Sequence, residues 1–276
     1  MIKTLQLYSR LLRTGQWYKN LLIFAPLLFA QNVLAPLELG LAFLGFCALS
    51  SFTYICNDWL DREKDRLHPT KKDRPLASGK VSGKSASVIA MALLLFVGWT
   101  MSTLGLFYTS VLLSYLVLTT LYSFGLKNIP LLDIFLITAN FILRASAGLE
   151  SFPSATVLPF YGFIAGMIFL FLTHKRRSDN KLLGEKALEH KPVLAFYSPF
   201  VCHILRAGAF ILIAFCLYAF YKNGWPFEGV LAIFVLLSYT SYLLSRDPFL
   251  TSKPQHLLKN PLWTTCLIVM GFLLAI

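Results

Sequence analysis

The chain has 276 residues, is 57% hydrophobic and only 14% charged, and carries a formal net charge of +12. A soluble domain holds about 25% charged residues, so a water-soluble globular fold is excluded. Continuous apolar blocks without alternation exclude a β-barrel and predict a polytopic helical membrane protein. The positive charge fits the positive-inside rule, anionic lipids and anionic substrates, with no need for nucleic acid. The five cysteines, Cys47, Cys56, Cys202, Cys216 and Cys266, have no metal-ligand spacing and read as small hydrophobes.

Met1 to Lys19 predicts a short interfacial helix, with Lys3, Arg10, Arg13 and Lys19 as anchors and Trp17 and Tyr18 at headgroup depth. It is basic and mixed, with no small-residue cleavage site, so no removable leader is expected. The first span is predicted from about Asn20 to Ala35 and the second from Leu39 to Cys56, separated at Pro36. A charged segment extends from Asn57 to Lys84. The third and fourth spans, about Ser85–Leu104 and Leu106–Phe124, hinge at Gly105. The fifth covers about Ile129–Leu149 and stops near Glu150–Pro153, and the sixth about Ala155–Thr173. A second polar segment runs from His174 to Pro199. Spans seven to nine are about Phe200–Tyr221, Phe227–Leu244 and Pro261–Ile276, with a basic loop from Ser245 to Asn260. Nine alternating spans place all but two of the 25 Lys and Arg on one side. The exceptions are Lys222 and the intramembrane Arg144. This puts the N-terminus and both large polar segments in the cytoplasm. Those segments lie four spans apart, which predicts one integral membrane domain of two pseudo-repeat halves, roughly 1–128 and 129–276.

Asn57-Asp-Trp-Leu-Asp-Arg-Glu-Lys-Asp65 carries the densest chemistry. On one helix Asn57, Asp61 and Asp65 stack at i+4 steps, with Asp58 beside them. Such oxygen donors suit Mg²⁺ shared with phosphate oxygens. A solvated loop between spans fits the acids equally well when they are taken alone. The basic stretch after Asp65, with Lys71, Lys72, Arg74 and Lys80, suits a pyrophosphate neutralised by metal and held by cations. In the second polar segment, His174-Lys-Arg-Arg-Ser-Asp179, three cations precede one acid. Arginine forks match phosphate oxygens directly, although flanking charge after a span would look similar. Glu185 and Glu189 lie farther on. Asp133 either faces a cavity or is a first-turn acid favoured by the helix dipole. Arg144, inside an apolar span, faces a cavity or a partner. It either holds a lipid phosphate or pairs structurally with Glu150 or the outer interface. None of the five histidines is assigned as a metal ligand.

Residues 57–65 and Arg74-Pro-x-x-Ser-Gly79 resemble the first aspartate motif, and the element after it, of the UbiA superfamily of intramembrane prenyltransferases. Gln16-Trp-Tyr-Lys-Asn20, Asp65-Arg-x-His-Pro-Thr-Lys71, Tyr122-Ser-x-x-Leu-Lys127, Phe141-x-x-Arg144-Ala-x-Ala-Gly148, Lys175-Arg-Arg177 and Lys253-Pro-x-x-Leu-Leu258 resemble its decaprenyl-phosphate phosphoribosyltransferase branch. The resemblance implies an all-α fold of nine transmembrane helices around a central cavity. It implies Mg²⁺-dependent transfer of a 5-phosphoribosyl group from phosphoribosyl pyrophosphate to a polyprenyl phosphate in the cytoplasmic membrane. Metal would fall to Asn57, Asp58, Asp61 and Asp65, with Asp58 and Asp61 catalytic. Substrate would fall to Lys19, Lys71, Arg74, Lys127, Arg144, Lys175, Arg176, Arg177 and Asp179. The usual second acidic motif is thin here, since only Asp179 stands near its place. That weighs against the first alternative, prenyl transfer from a prenyl diphosphate to an aromatic acceptor. A lipid carrier without chemistry is the second alternative. The sequence leaves a homo-oligomer open.

Overall fold

The computed structural model describes residues 2–28, 34–67, 71–150, 157–183, 192–252 and 254–275, and every regular element among them is helical. These are α1 (Ile2–Leu12), a 3-10 stretch (Thr14–Leu28), α2 (Pro36–Leu60), α3 (Arg62–Leu67), α4 (Gly83–Ser123) and a 3-10 turn (Leu126–Asn128). Then come α5 (Leu132–Ser146), α6 (Leu158–Leu183), a 3-10 turn (Pro192–Phe196), α7 (Pro199–Lys222) and α8 (Phe227–Arg246). Last are α9 (Pro248–Ser252), a 3-10 turn (Pro254–Lys259) and α10 (Pro261–Ala275). Five of them, α2, α4, α6, α7 and α8, are long and apolar enough to cross a membrane. Their outward faces are apolar too: Val88 and Leu95 on α4 and Ile211 and Phe215 on α7 are exposed. A helix apolar all round suits lipid. The chain is a multi-pass membrane protein.

The 41 residues of α4 would reach roughly 60 Å as one rod at 1.5 Å per residue, twice the hydrocarbon core. Gly105 breaks it, at φ 82° and ψ −174°, a region that L side chains avoid. The Thr109 hydroxyl donates to the Met101 carbonyl at 3.2 Å. In a straight helix, residues eight apart stand about 12 Å apart along the axis, so the chain doubles back here. The hinge expected at Gly105 is a helical hairpin.

The first predicted span takes a different form. Thr14–Leu28 is a 3-10 helix with Pro26 inside it. Proline lacks the N–H that an α-helix needs and clashes with the preceding turn. Residues 29–33 lie outside those described, as do His68–Thr70, Ser151–Pro153, Glu185, Glu189, His190 and Lys253. The fifth and ninth predicted spans correspond to α5 and α10, each of 15 residues.

The chain divides into two compact units: Met1–Ser123 with Asn140–Pro153, and Phe124–Ala139 with Ser154–Ile276. In the first, Leu39, Phe46 and Leu49 of α2 pack with Val97, Tyr108, Leu112 and Tyr115 of α4. Phe46 meets the Tyr115 ring edge-on at 5.2 Å. Gly148 is needed because a Cβ there would overlap the Ile23 carbonyl oxygen, while its own carbonyl accepts from Leu34 N at 3.1 Å. Gly148→Ala is expected to cost about 1–3 kcal/mol as overpacking against backbone. Gly98→Ala, which meets open space, should be neutral or slightly stabilising. Thermal unfolding of the two variants in detergent measures the difference, and equal midpoints would refute the contact.

In the second unit α6 crosses α7 closely. A Cβ on Gly162 would sit 2.7 Å from Cys216 Sγ, and one on Gly166 would sit 2.7 Å from Ile213 Cγ1. Two small residues four apart let helices approach by van der Waals packing, the main attraction available between helices in lipid. Ser198 caps α7 by accepting from Val201 N at 3.3 Å, with Pro199 at the first helical position.

Candidate functional site

The acidic segment begins at the end of α2. That helix stops at Leu60, Asp61 is its C-cap, and α3 resumes at Arg62. The i+4 spacing survives, since Asp61 N donates to Asn57 O at 2.9 Å and Asp65 N to Asp61 O at 2.8 Å. The basic loop folds back onto these turns through its apolar residues. Leu76 and Val81 are buried with Leu11, Ile55 and Ala86. Gly79 turns the loop at φ 72°, and Arg66 Nε ties α3 to the Ala77 carbonyl at 3.1 Å.

This fold-back delivers Arg74 to the acids. One nitrogen, Arg74 Nη1, donates to Asp58 Oδ1 at 2.9 Å and to Asp65 Oδ2 at 2.6 Å. Both carboxylates are buried. Arg13 Nη2 also reaches Asp58 Oδ1, at 2.5 Å, and Lys71 Nζ lies 4.0 Å from Asp65. Asp61 is exposed and Asn57 half-buried. Arg62 and Arg66 are engaged by Glu63, whose carboxyl their hydrogen bonds and charge hold below the usual range. Among the described residues no three acids, histidines or cysteines already stand at metal-binding distance. The donor set nonetheless fits a hard divalent cation. Two buried carboxylate oxygens share one cationic nitrogen, so they lie at most about 5.5 Å apart. Magnesium needs its oxygens about 2.0–2.1 Å away, a change of side-chain rather than backbone scale. Arg13 was legible only as a membrane anchor. Its φ of 51°, uncommon for a residue with a Cβ, is a second mark of a constrained site residue.

Arg144 lies in the same unit, buried to 7% exposure. Its Nε donates to Asn20 Oδ1 at 2.9 Å, Nη2 to the Tyr115 hydroxyl at 3.1 Å and Nη1 to the Asn140 carbonyl at 3.1 Å. The guanidinium lies 4.9 Å from the Tyr115 ring centre and 5.0 Å from that of Phe141. The alternative pairing with Glu150 is not formed, and no carboxylate among the described residues neutralises it. Lys19 is half-buried.

In the second unit the three consecutive cations separate. Arg176 is buried and donates through Nε to Asp133 Oδ2 at 2.7 Å, with Asp179 Oδ2 3.7 Å from Nη1. Asp133, fully buried, also accepts from the Tyr197 hydroxyl, and Tyr197 in turn accepts from Leu131 N at 3.1 Å. Burial, then the hydrogen bond to Asp133, pushes the Tyr197 phenol up from its ordinary value. Asp133 is the acid in the first turn of α5, as one of its two readings has it, and there it is fully buried as the counter-ion of Arg176. Lys175 is half-buried and Lys127 exposed, while Arg177 points to another side of α6 among Lys181 and Arg206. The last two carried no sequence signal beyond flanking charge.

The described residues thus form an all-helical membrane protein with an acidic cluster at the end of one span and a basic loop folded onto it. The chain belongs to the UbiA prenyltransferase family, whose model matches residues 21–255. It is similar to decaprenyl-phosphate phosphoribosyltransferase of Corynebacterium glutamicum, 32% identical over 219 residues, which cover 76% of this chain and 66% of that protein. The protein of the same name from Mycobacterium tuberculosis is 28% identical over 263 residues, 89% of this chain and 85% of that one. The chain thus spans slightly under two thirds of the first relative's length. A solved UbiA homologue from Archaeoglobus fulgidus, bound to GPP and Mg²⁺, superposes with a TM-score of 0.65 at 19% identity, over 98% of this chain and 97% of that one. That likeness shows the fold.

Proposed function

We propose that the chain is a Mg²⁺-dependent membrane transferase that moves a 5-phosphoribosyl group from phosphoribosyl pyrophosphate to a polyprenyl phosphate and releases pyrophosphate. The uneven arrangement of acids in the two polar segments carries this reading. The first holds the paired acids Asp58 and Asp65, whereas in the second three consecutive cations, Lys175 to Arg177, precede Asp179, which lies 3.7 Å from Arg176 Nη1. A donor with several phosphates and an anionic acceptor suit that balance. The likeness to the decaprenyl-phosphate phosphoribosyltransferases, over 76–89% of the chain, supports it.

In this reading Asn57, Asp58, Asp61 and Asp65 would hold Mg²⁺, which would supply positive charge against the departing pyrophosphate. Arg74 and Lys71 bind its oxygens. Lys175 and Asp179, positioned by Arg176, Lys127 and Lys19 orient the substrates, and Arg144 offers its uncompensated charge to the acceptor phosphate. An oxygen of the lipid phosphate attacks the anomeric carbon. The carbon–oxygen bond to pyrophosphate breaks, and its electron pair leaves with the pyrophosphate. The nucleophile is already anionic, so no general base is needed. We further propose nine membrane-spanning segments in one domain of two pseudo-repeat halves, roughly 1–128 and 129–276, with the N-terminus and both polar segments cytoplasmic.

The test offers purified protein two substrate pairs. Labelled phosphoribosyl pyrophosphate with polyprenyl phosphate should yield a lipid-soluble product and pyrophosphate, both abolished by EDTA and restored by Mg²⁺. Product from prenyl diphosphate and an aromatic acid alone would replace this reading with aromatic prenylation. Lipid movement without bond breaking would replace it with a carrier.

A further inference from the structure

A second basic feature belongs to the second unit. Where the end of α6, the start of α7 and the end of α8 meet, a cavity of about 190 Å³ is lined by His174, Arg177, Lys181, His203, Arg206 and Ser245, among others. At about 30 Å³ per water it has room for roughly six waters, enough for a phosphate group with some of its hydration. No carboxylate among the described residues lines it. Spacing on α6 explains the shared face, since positions 174, 177 and 181 fall at i, i+3 and i+7.

The polar groups around the cavity divide into anchored and open ones. His174 is anchored through Nε2 to the Ser241 hydroxyl at 2.8 Å, and the Ser178 hydroxyl donates to the Pro248 carbonyl at 2.7 Å. Arg206 is aimed by Nε on the Cys202 carbonyl at 3.0 Å, with Nη2 3.2 Å from His203 Nδ1. Arg177 and Lys181 have no hydrogen-bond or ion-pair partner among the described residues. Three cations thus face a polar cavity with no counter-charge of their own among the described residues. Like charges held together at a protein surface repel unless an anion enters, and a guanidinium with an ammonium is a phosphate-binding set.

We propose that this cavity binds a phosphate group, carried either by the head of an anionic lipid or by a free phosphate. The site does not depend on which group the enzyme transfers, and Arg177 belongs to it rather than beside Arg176.

The full chain, purified in neutral detergent with EDTA, is titrated with inorganic phosphate and followed by thermal unfolding and ³¹P line broadening. In a parallel arm the protein sits in phosphatidylcholine nanodiscs with and without phosphatidic acid. Saturable binding in the first arm assigns a free phosphate, and in the second alone a lipid head. Arg206→Gln with Lys181→Gln should weaken the positive arm about tenfold or more, while Lys222→Gln, at the other end of α7, should leave it unchanged. Should the double variant fail to fold, Lys181→Gln alone, at an exposed position, gives the same comparison. Binding in neither arm, or equal binding by wild type and the cavity variant, overturns the proposal.

Discussion

Asp58→Ala is expected to lower turnover by at least about a thousandfold while leaving the fold intact. Asp58 is the carboxylate on which Arg13 and Arg74 both converge. Without it the proposed cation site loses a buried oxygen, and two guanidinium groups lose their orienting partner. Removal of one preorganised charge-stabilising group costs about 10²–10³ in rate, and here the acid and its arginines fail together. The cost to stability is small. Both arginine side chains are 28% exposed, Arg74 keeps Asp65, and partly exposed ion pairs contribute about 1 kcal/mol or less. Phosphoribosyl transfer and thermal unfolding, measured on the same preparation, separate the effects. Near-normal turnover with an unchanged midpoint would sink the site assignment.

Asp133→Asn should show the opposite pattern, with the larger loss in stability. Asp133 is fully buried between Arg176 and the Tyr197 hydroxyl. Asparagine keeps the shape but removes the charge, leaving Arg176, with 4% of its side chain exposed, facing only the more distant Asp179. Breaking a buried pair from one side costs about 3–5 kcal/mol. Asp133→Asn combined with Arg176→Gln should recover much of that, because the charge left over, Asp179, is 25% exposed to solvent rather than buried. Additive losses in the double variant would show that the two side chains do not act as a pair.

The membrane class and most of the helices were legible because apolar run length and the glycine at 105 act locally. The acidic segment was legible for the same reason, its spacing fixed within two turns. Partners distant in sequence were not. Arg13 meets Asp58 across 45 positions, and Arg144 meets Asn20 across 124; neither leaves a mark in local pattern. The run Lys175-Arg-Arg177 read as one patch, yet successive helical residues point about 100° apart. One cation became an internal counter-ion and another a cavity wall. The first predicted span differs because proline within an apolar run lowers α-helicity without changing hydropathy.

The doubling back at Gly105 bears on how the protein reaches its membrane. Two apolar stretches joined by a one-residue reversal can enter the bilayer as a single hairpin. Each then satisfies its own backbone hydrogen bonds and needs no polar loop carried across. In the proposed topology Lys84 and Lys127, which flank the pair in sequence, would both stay on the cytoplasmic side. A side chain at position 105 would act first on biogenesis, before any folded protein existed to be destabilised.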